Sequence, residues 1–83
     1  MKIFQDSQVA MSYPNTLSLL DVVVLTKAIP RLKLRRGELG TIVEVLGQNT
    51  FLVEFADTKG VTYAMPVLSA SLLMKVYFEP VIA

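Results

Sequence analysis

The sequence predicts an all-β fold, a small barrel of five short strands. Its apolar runs are short and rich in residues that favour strands, and tight turns containing Gly, Asn or Pro separate them. The chain has 83 residues, which is too few for a second hydrophobic core. We therefore expect one barrel domain over residues 17–83, preceded by an N-terminal arm over residues 1–16.

The first strand is predicted over residues 20–27, where three consecutive valines follow Asp21. A run this short and this rich in β-branched residues is typical of a strand rather than a helix. Pro30 ends the strand, because proline removes a backbone donor. A charged loop follows, and it ends at Gly37 and Gly40, which we interpret as structural turn glycines.

The second and third strands are predicted over residues 41–46 and 50–55, and a hairpin turn at residues 47–49 joins them. In the third strand Phe51, Val53 and Phe55 share one face, whereas Leu52 and Glu54 share the other. This period of two indicates a strand with one buried face.

The fourth strand is predicted over residues 61–65, between a turn at residues 57–60 and Pro66. One helical turn over residues 67–71 then precedes a last strand over residues 72–78, which Pro80 ends. Five strands in this order, with one helical (3-10) turn before the last, are typical of SH3-like barrels. The predicted core consists of Val22, Val24, Val43, Val45, Phe51, Val53, Phe55, Tyr63, Met65, Leu68, Met74 and Val76.

Three segments carry a resemblance to a known family: LLDVVVLT from Leu19, RRGELGTIVEV from Arg35 and FLVEFAD from Phe51. In this order, over residues 19–78, they resemble the bacterial family called domain of unknown function 4926. The resemblance implies a small SH3-like, KOW-like barrel without assigned catalytic residues. Some members lie beside genes for small uncharacterised proteins in an arrangement like that of toxin–antitoxin pairs, which implies an antitoxin-like role with such a partner.

The sequence contains no Cys and no His, which excludes ordinary zinc, haem and iron–sulfur sites, thiol nucleophiles and imidazole acid–base catalysis. We expect no cofactor and no enzymatic activity. The net charge of +1 and the pI of about 8.0 are too near balance to indicate nucleic acid or an anionic membrane by themselves. No apolar run reaches the roughly 18 residues of a membrane span, so a cytoplasmic location is the default expectation.

The chain is more apolar than a small monomer requires, with 53% hydrophobic and only 18% charged residues, whereas about 25% charged is average. If the alternation of the third strand continues in the second, apolar side chains also face outward, and such a surface is typical of a protein interface. We expect it to bind another small protein, with self-association, through Ile42, Glu44, Leu46, Leu52 and Glu54. Alternatively, the arm covers this surface through Ile3, Phe4, Val9, Met11 and Tyr13.

Five of the eight Lys and Arg residues lie between positions 27 and 36. This cluster indicates an alternative function, a KOW-like nucleic-acid-binding module that contacts phosphates through Arg31, Lys33, Arg35 and Arg36. No aromatic residue lies among these cations, so base stacking is not supported. A solvated loop that Leu32 and Leu34 hold against the barrel explains the same pattern. The favoured hypothesis is a non-enzymatic protein-interaction module.

Overall fold

The computed structural model describes residues 16–78 and confirms the all-β prediction. Residues 1–15 and 79–83, which include nearly all of the predicted arm, lie outside the described part of the chain. Single 3-10 turns lie at Pro30–Leu32 and Ala70–Leu72. The six strands are β1 (Val22–Leu25), β2 (Leu39–Gly47), β3 (Thr50–Ala56), β4 (Thr62–Ala64), β5 (Val67–Ser69) and β6 (Leu73–Lys75).

The strands form one antiparallel sheet in the order β4-β3-β2-β1-β6, and β5 also pairs with β3. Over residues 16–78 the end strands β4 and β6 do not pair with each other, so the sheet is unclosed. The long strand β2 therefore lies at the centre, and the loop that carries the basic residues joins it to β1.

Pro66 ends the fourth strand as predicted, but the chain forms another strand directly after it, which gives six strands rather than the predicted five. The two pieces, β4 and β5, both pair with β3. Proline has no N–H to donate, but its carbonyl accepts a hydrogen bond from the Val53 N–H at 3.0 Å, and this bond keeps the chain beside β3. The helical turn predicted over residues 67–71 is therefore a strand in its first half, and the 3-10 turn begins only at Ala70.

One face of the sheet carries the hydrophobic core, and the alternation in β3 predicts it correctly. Phe51, Val53, Phe55 and Leu68 are buried as expected. Ile29 and Leu34, which belong to the loop after β1, join them. The core of the described residues consists of Val23, Leu25, Ile29, Leu34, Ile42, Phe51, Val53, Phe55, Leu68 and Leu73.

In β1 and β6 the prediction of which side chains face the core is wrong. The buried side chains are Val23, Leu25 and Leu73, whereas the sequence predicts Val22, Val24 and Met74 in the core. β1 consists of consecutive apolar residues with no polar residue to mark the outer face, and in β6 the only polar residue, Lys75, comes after Leu73 and Met74 at the end of the strand. Their phase is set by pairing with neighbouring strands, which the sequence does not reveal.

The predicted core is also wrong in β2, because this strand contains a β-bulge. Ile42 pairs with Val53 and Glu44 pairs with Leu52, so Val43 is an extra residue without a partner in β3. The bulge breaks the period of two, and Ile42, expected to be exposed, is completely buried. Val43 is only half-buried.

Three other members of the predicted core, Val45, Tyr63 and Met65, are exposed, and Val76 is half-buried. Val45 pairs with Phe51 and so shares its face. It lies near the β2–β3 turn, where the last four residues of β2 are all exposed, and there the core no longer covers the sheet.

At Gly40 the backbone of β2 lies very close to the core. A Cβ atom at this position would lie 2.7 Å from Val53 Cγ1 and 2.9 Å from Phe55 Cε1. Real Cβ contacts are not this short, so any larger residue displaces buried side chains. The role of Gly37 is different, because its φ of +95° lies in the left-handed region that favours glycine.

We expect Gly40→Ala to lower the free energy of unfolding by about 2 kcal/mol, since overpacking a filled core typically costs 1–3 kcal/mol. Gly47→Ala is the matched control, because nothing lies within 4 Å of its Cβ position and its φ is not left-handed. The control should change stability by less than about 0.5 kcal/mol. Urea unfolding of the two variants measures the difference, and equal stabilities would contradict the close approach at Gly40.

Candidate functional site

The loop between β1 and β2 contains the basic residues, and it is folded on its own hydrophobic residues. We call residues 27–36 the basic loop. Ile29 N–H donates to Leu34 O at 2.8 Å, and Leu34 N–H donates to Ile29 O at 3.2 Å. Both side chains are buried, and the half-buried Leu32 packs against the same core. The basic loop is therefore held in one conformation by hydrogen bonds and by buried side chains.

Backbone hydrogen bonds also fix the end of the basic loop. Gly37 N–H donates to Leu25 O at 2.8 Å, and Leu25 N–H donates to Glu38 O at 3.0 Å. These bonds extend the pairing of β1 with the segment that leads into β2. Arg36 is thus anchored at the border between the basic loop and the sheet.

Most cations of the basic loop have no ionic partner. Arg35 Nε lies 3.4 Å from Glu38 Oε2, a pair of small energetic weight because the arginine side chain is 88% exposed. Over residues 16–78 no other ion pair involves the loop. The cations that remain exposed and unpaired with a described carboxylate are Lys27, Arg31, Lys33 and Arg36.

Nearby, on the outer face of the sheet, three apolar residues from three strands lie side by side. Val24 in β1 pairs with Leu39 in β2 and with Met74 in β6. Directly paired residues share a face of the sheet, so we call these three side chains the apolar row. Val24 is half-buried, but Leu39 is 55% and Met74 is 59% exposed.

The apolar row and the basic loop meet at a shallow groove of about 330 Å³. Its lining residues are Val24, Leu25 and Thr26 in and directly after β1, Met74 in β6, Arg36 at the end of the basic loop, and the following Gly37. The groove thus combines an aliphatic surface with one cation. This combination suits a ligand that has both an apolar and an anionic group.

A comparison with family models matches residues 19–75 to DUF4926, a domain of unknown function. The chain belongs to the DUF4926 family. No curated protein and no solved structure matches it significantly. The match covers all six strands and the basic loop of this DUF4926 domain, so both parts of the groove lie within the family domain.

A larger cavity of about 600 Å³ lies beside the last strand of the DUF4926 domain. Leu17, Ser69 and Tyr77 contribute to its wall. The Lys75 ammonium, which also lines it, lies 5.0 Å from the Tyr77 ring centroid and 3.5 Å from Asp21 Oδ1. The charge of this cavity is therefore already paired within the chain.

The residues of the interface predicted from the sequence differ in their exposure to solvent. Ile42, one of its expected apolar residues, is completely buried and is not available to contact a partner. Glu44 and Leu46 are exposed, whereas Leu52 is half-buried beside the exposed Val67. Glu54 is half-buried and accepts a hydrogen bond from the Thr62 hydroxyl.

Neither a metal site nor a spanning helix is evident in the described residues. No group of three or more acidic, His or Cys side chains within residues 16–78 could hold a metal ion. In the same part of the chain, no helix is long and apolar enough to cross a membrane.

Glu38 links the basic loop to β4. The Tyr63 hydroxyl donates to Glu38 Oε1 at 2.6 Å, and the Arg35 N–H donates to Glu38 Oε2 at 2.7 Å. The bond from Tyr63 and then the one from Arg35 lower the pKa of Glu38 below its ordinary value of 4.5. The same hydrogen bond to the carboxylate raises the pKa of Tyr63 above 10.0. Tyr63, predicted in the core, is 52% exposed and makes this polar contact instead.

We expect Tyr63→Phe to raise the pKa of Glu38 towards 4.5, because the mutant loses the largest interaction that favours the carboxylate. The lowered pKa of Glu38 contributes stability above about pH 4.5, and that contribution is lost as pH falls through the folded value. The variant should therefore be less stable than the wild type near neutral pH, and the difference should shrink in acid. Urea unfolding across this range and an NMR titration of Glu38 measure both effects.

Tyr77→Phe is the control for this prediction, because the Tyr77 hydroxyl has no hydrogen-bond partner among residues 16–78. It should leave the pKa of Glu38 unchanged. A stability difference between wild type and Tyr63→Phe that does not depend on pH would contradict the assigned role of Glu38.

Proposed function

We propose that this DUF4926 domain is a non-enzymatic protein-interaction module, and that the apolar row with the adjoining edge of the basic loop is its binding surface. The observation that supports the proposal is the register of the sheet. It places Leu39, Val24 and Met74 side by side on three neighbouring strands, with Leu39 and Met74 more than half exposed. Contiguous exposed apolar surface of this kind is typical of protein interfaces.

The balance of buried and exposed residues supports the same proposal. Among residues 16–78, twelve large hydrophobic side chains are exposed, whereas ten hydrophobic residues form the core. Fully burying one Leu or Met side chain is worth about 1.5–3 kcal/mol. A partner that covers the apolar row gains this term and offsets part of the entropic cost of association.

The chemistry of the carboxylates favours binding over catalysis. A general acid at neutral pH needs a raised pKa, but hydrogen bonds from Tyr63 and Arg35 lower the pKa of Glu38. Asp57 accepts hydrogen bonds from the N–H groups of Lys59 and Val61 at 2.8 and 2.9 Å, which is a turn contact. These acids support the fold by accepting hydrogen bonds.

The first partner to test is the product of an adjacent gene, because the family resemblance implies an antitoxin-like arrangement with a small neighbouring protein. A second copy of this chain is the competing occupant of the apolar row. Glu44, Leu46, Leu52 and Glu54, the exposed or half-buried remainder of the predicted interface, lie on β2 and β3 and are proposed as a secondary contact.

We expect Met74→Asn to weaken a complex with the adjacent gene product about tenfold, as for a side chain worth about 1.4 kcal/mol at an interface. Val61→Asn is the matched control, because Val61 is 60% exposed, nearly the same as Met74, but lies in the turn before β4. Co-purification of the tagged full-length chain, followed by titration calorimetry with purified partner, measures the effect. Equal affinities of the two variants would contradict the proposed surface.

Binding of nucleic acid is the second candidate function. The observation in its favour is that Arg31, Lys33 and Arg36 are exposed and without an ionic partner among residues 16–78, on a loop that Ile29 and Leu34 fix in place. A fixed array of cations can neutralise phosphates and release counterions.

If nucleic acid is the ligand, the affinity for a short RNA or DNA should fall steeply with salt, and the double variant Arg31→Glu, Lys33→Glu should abolish binding. Lys59→Glu, which changes an exposed cation in the turn before β4, is the control. Fluorescence anisotropy at increasing salt measures this dependence. Absence of binding at about 50 mM salt, where electrostatic contacts are strong, would eliminate this function.

A further inference from the structure

The groove between the apolar row and the basic loop is asymmetric in its chemistry. Val24 lies on its β1 side and Met74 on its β6 side, and both present aliphatic surface. Arg36 and Gly37 line the side formed by the loop. No heavy atom lies within 4 Å of the Cβ position of Gly37, so this side is open to an incoming chain.

The positive charge at the loop side of the groove is not neutralised within the described residues. Asp21 is paired with Lys75, and Glu38 is hydrogen-bonded to Tyr63 and to Arg35. Over residues 16–78 Arg36 has no ion pair. The groove therefore lacks an anion for this guanidinium.

Arg36 is also held in position at its backbone. The residues on either side of it are fixed, Arg35 by its N–H bond to Glu38 Oε2 and Gly37 by its N–H bond to Leu25 O. A partner therefore does not have to order the backbone around the cation, which reduces the entropic cost of binding. Guanidinium groups bind carboxylates through two parallel hydrogen bonds.

The aliphatic lining distinguishes a protein segment from a nucleic acid. Bases bind to exposed aromatic faces, but no aromatic residue lines the groove, and its exposed or half-buried lining side chains are Val24, Thr26, Arg36 and Met74. Methionine is flexible and polarizable and adapts to irregular apolar side chains. The groove thus favours a partner that supplies aliphatic groups rather than bases.

From these features we infer that the groove binds an acidic and apolar segment of a partner protein, with an aliphatic side chain against Val24 and Met74 and a carboxylate against Arg36. The inference rests on the proposed function, and it specifies the chemistry of the partner. A volume of about 330 Å³ is enough for a few side chains, so the groove recognises a short segment within the larger contact.

The test uses the full-length chain and a short fluorescent peptide in which glutamate alternates with leucine. A control peptide with lysine in place of glutamate removes the charge complementarity to Arg36. A second control peptide of glutamate and serine removes the apolar side chains. The glutamate–leucine peptide should bind best by fluorescence anisotropy. In an NMR titration it should shift the amide signals of Thr26, Gly37 and Met74.

Arg36→Glu should weaken binding of the glutamate–leucine peptide about tenfold, whereas Arg36→Gln should give a smaller loss. Arg31→Glu is the matched control, because it makes the same change of charge on the same loop outside the residues that line the groove. This control should change affinity less than about threefold. Both substituted side chains are exposed, and thermal unfolding verifies that each of the three variants folds.

Equal losses for Arg36→Glu and Arg31→Glu would overturn the inference, because the peptide would then respond only to the total charge of the loop. Equal binding of the lysine–leucine peptide, or displacement of the glutamate–leucine peptide from the groove by a short oligonucleotide, would also overturn it. If none of the peptides binds but the partner complex still depends on Met74, the inferred chemistry is wrong and the proposed function stands. If the complex does not depend on Met74, the proposed function itself fails.

Discussion

The structure depends on the close approach of the β2 backbone to β3 at Gly40. There is no room for a Cβ atom between this backbone and the side chains of Val53 and Phe55. Gly40 also pairs with Val23 of β1, so the strands on both sides of β2, β1 and β3, contact it at this position. Because successive residues of a strand face opposite sides, an inward Gly40 places the preceding Leu39 on the outer face.

The conformation of the basic loop depends on two of its own apolar residues. Ile29 and Leu34 pair with each other and insert their side chains into the core. This arrangement buries two apolar residues of the basic loop and leaves its charged side chains exposed to water. The same contacts connect the position of the cations to the packing of the sheet, and the groove forms where Arg36 meets the outer face.

The sequence predicted the all-β class and the buried face of β3, because Glu54 marks the outer side of that strand. It also predicted the basic loop, since the clustering of cations needs no knowledge of the fold. The groove was not predictable, because Val24 and Met74 were placed in the core. In a run such as residues 22–25 each phase buries apolar side chains equally well, and only the pairing with Leu39 and Leu73 decides between them.

Two further differences have the same physical origin. The bulge at Val43 inserts a residue that no pattern of side chains reveals, and it reverses the orientation expected for Ile42. Pro66 ends β4 as expected, but its carbonyl accepts a hydrogen bond from Val53, and the chain then continues along β3 as β5 where a helical turn is predicted. In both places backbone hydrogen bonding, which all residue types share, overrides the local pattern of side chains.

The pairing of β1 with β6 has a consequence for how the domain folds. Val23 pairs with Lys75, and the Val76 N–H donates to the Val22 carbonyl at 2.9 Å, so residues about 50 positions apart are neighbours in the sheet. Closing so long a loop costs more entropy than forming the tight β2–β3 hairpin. We therefore expect the Met74 side of the groove to form after this hairpin during folding.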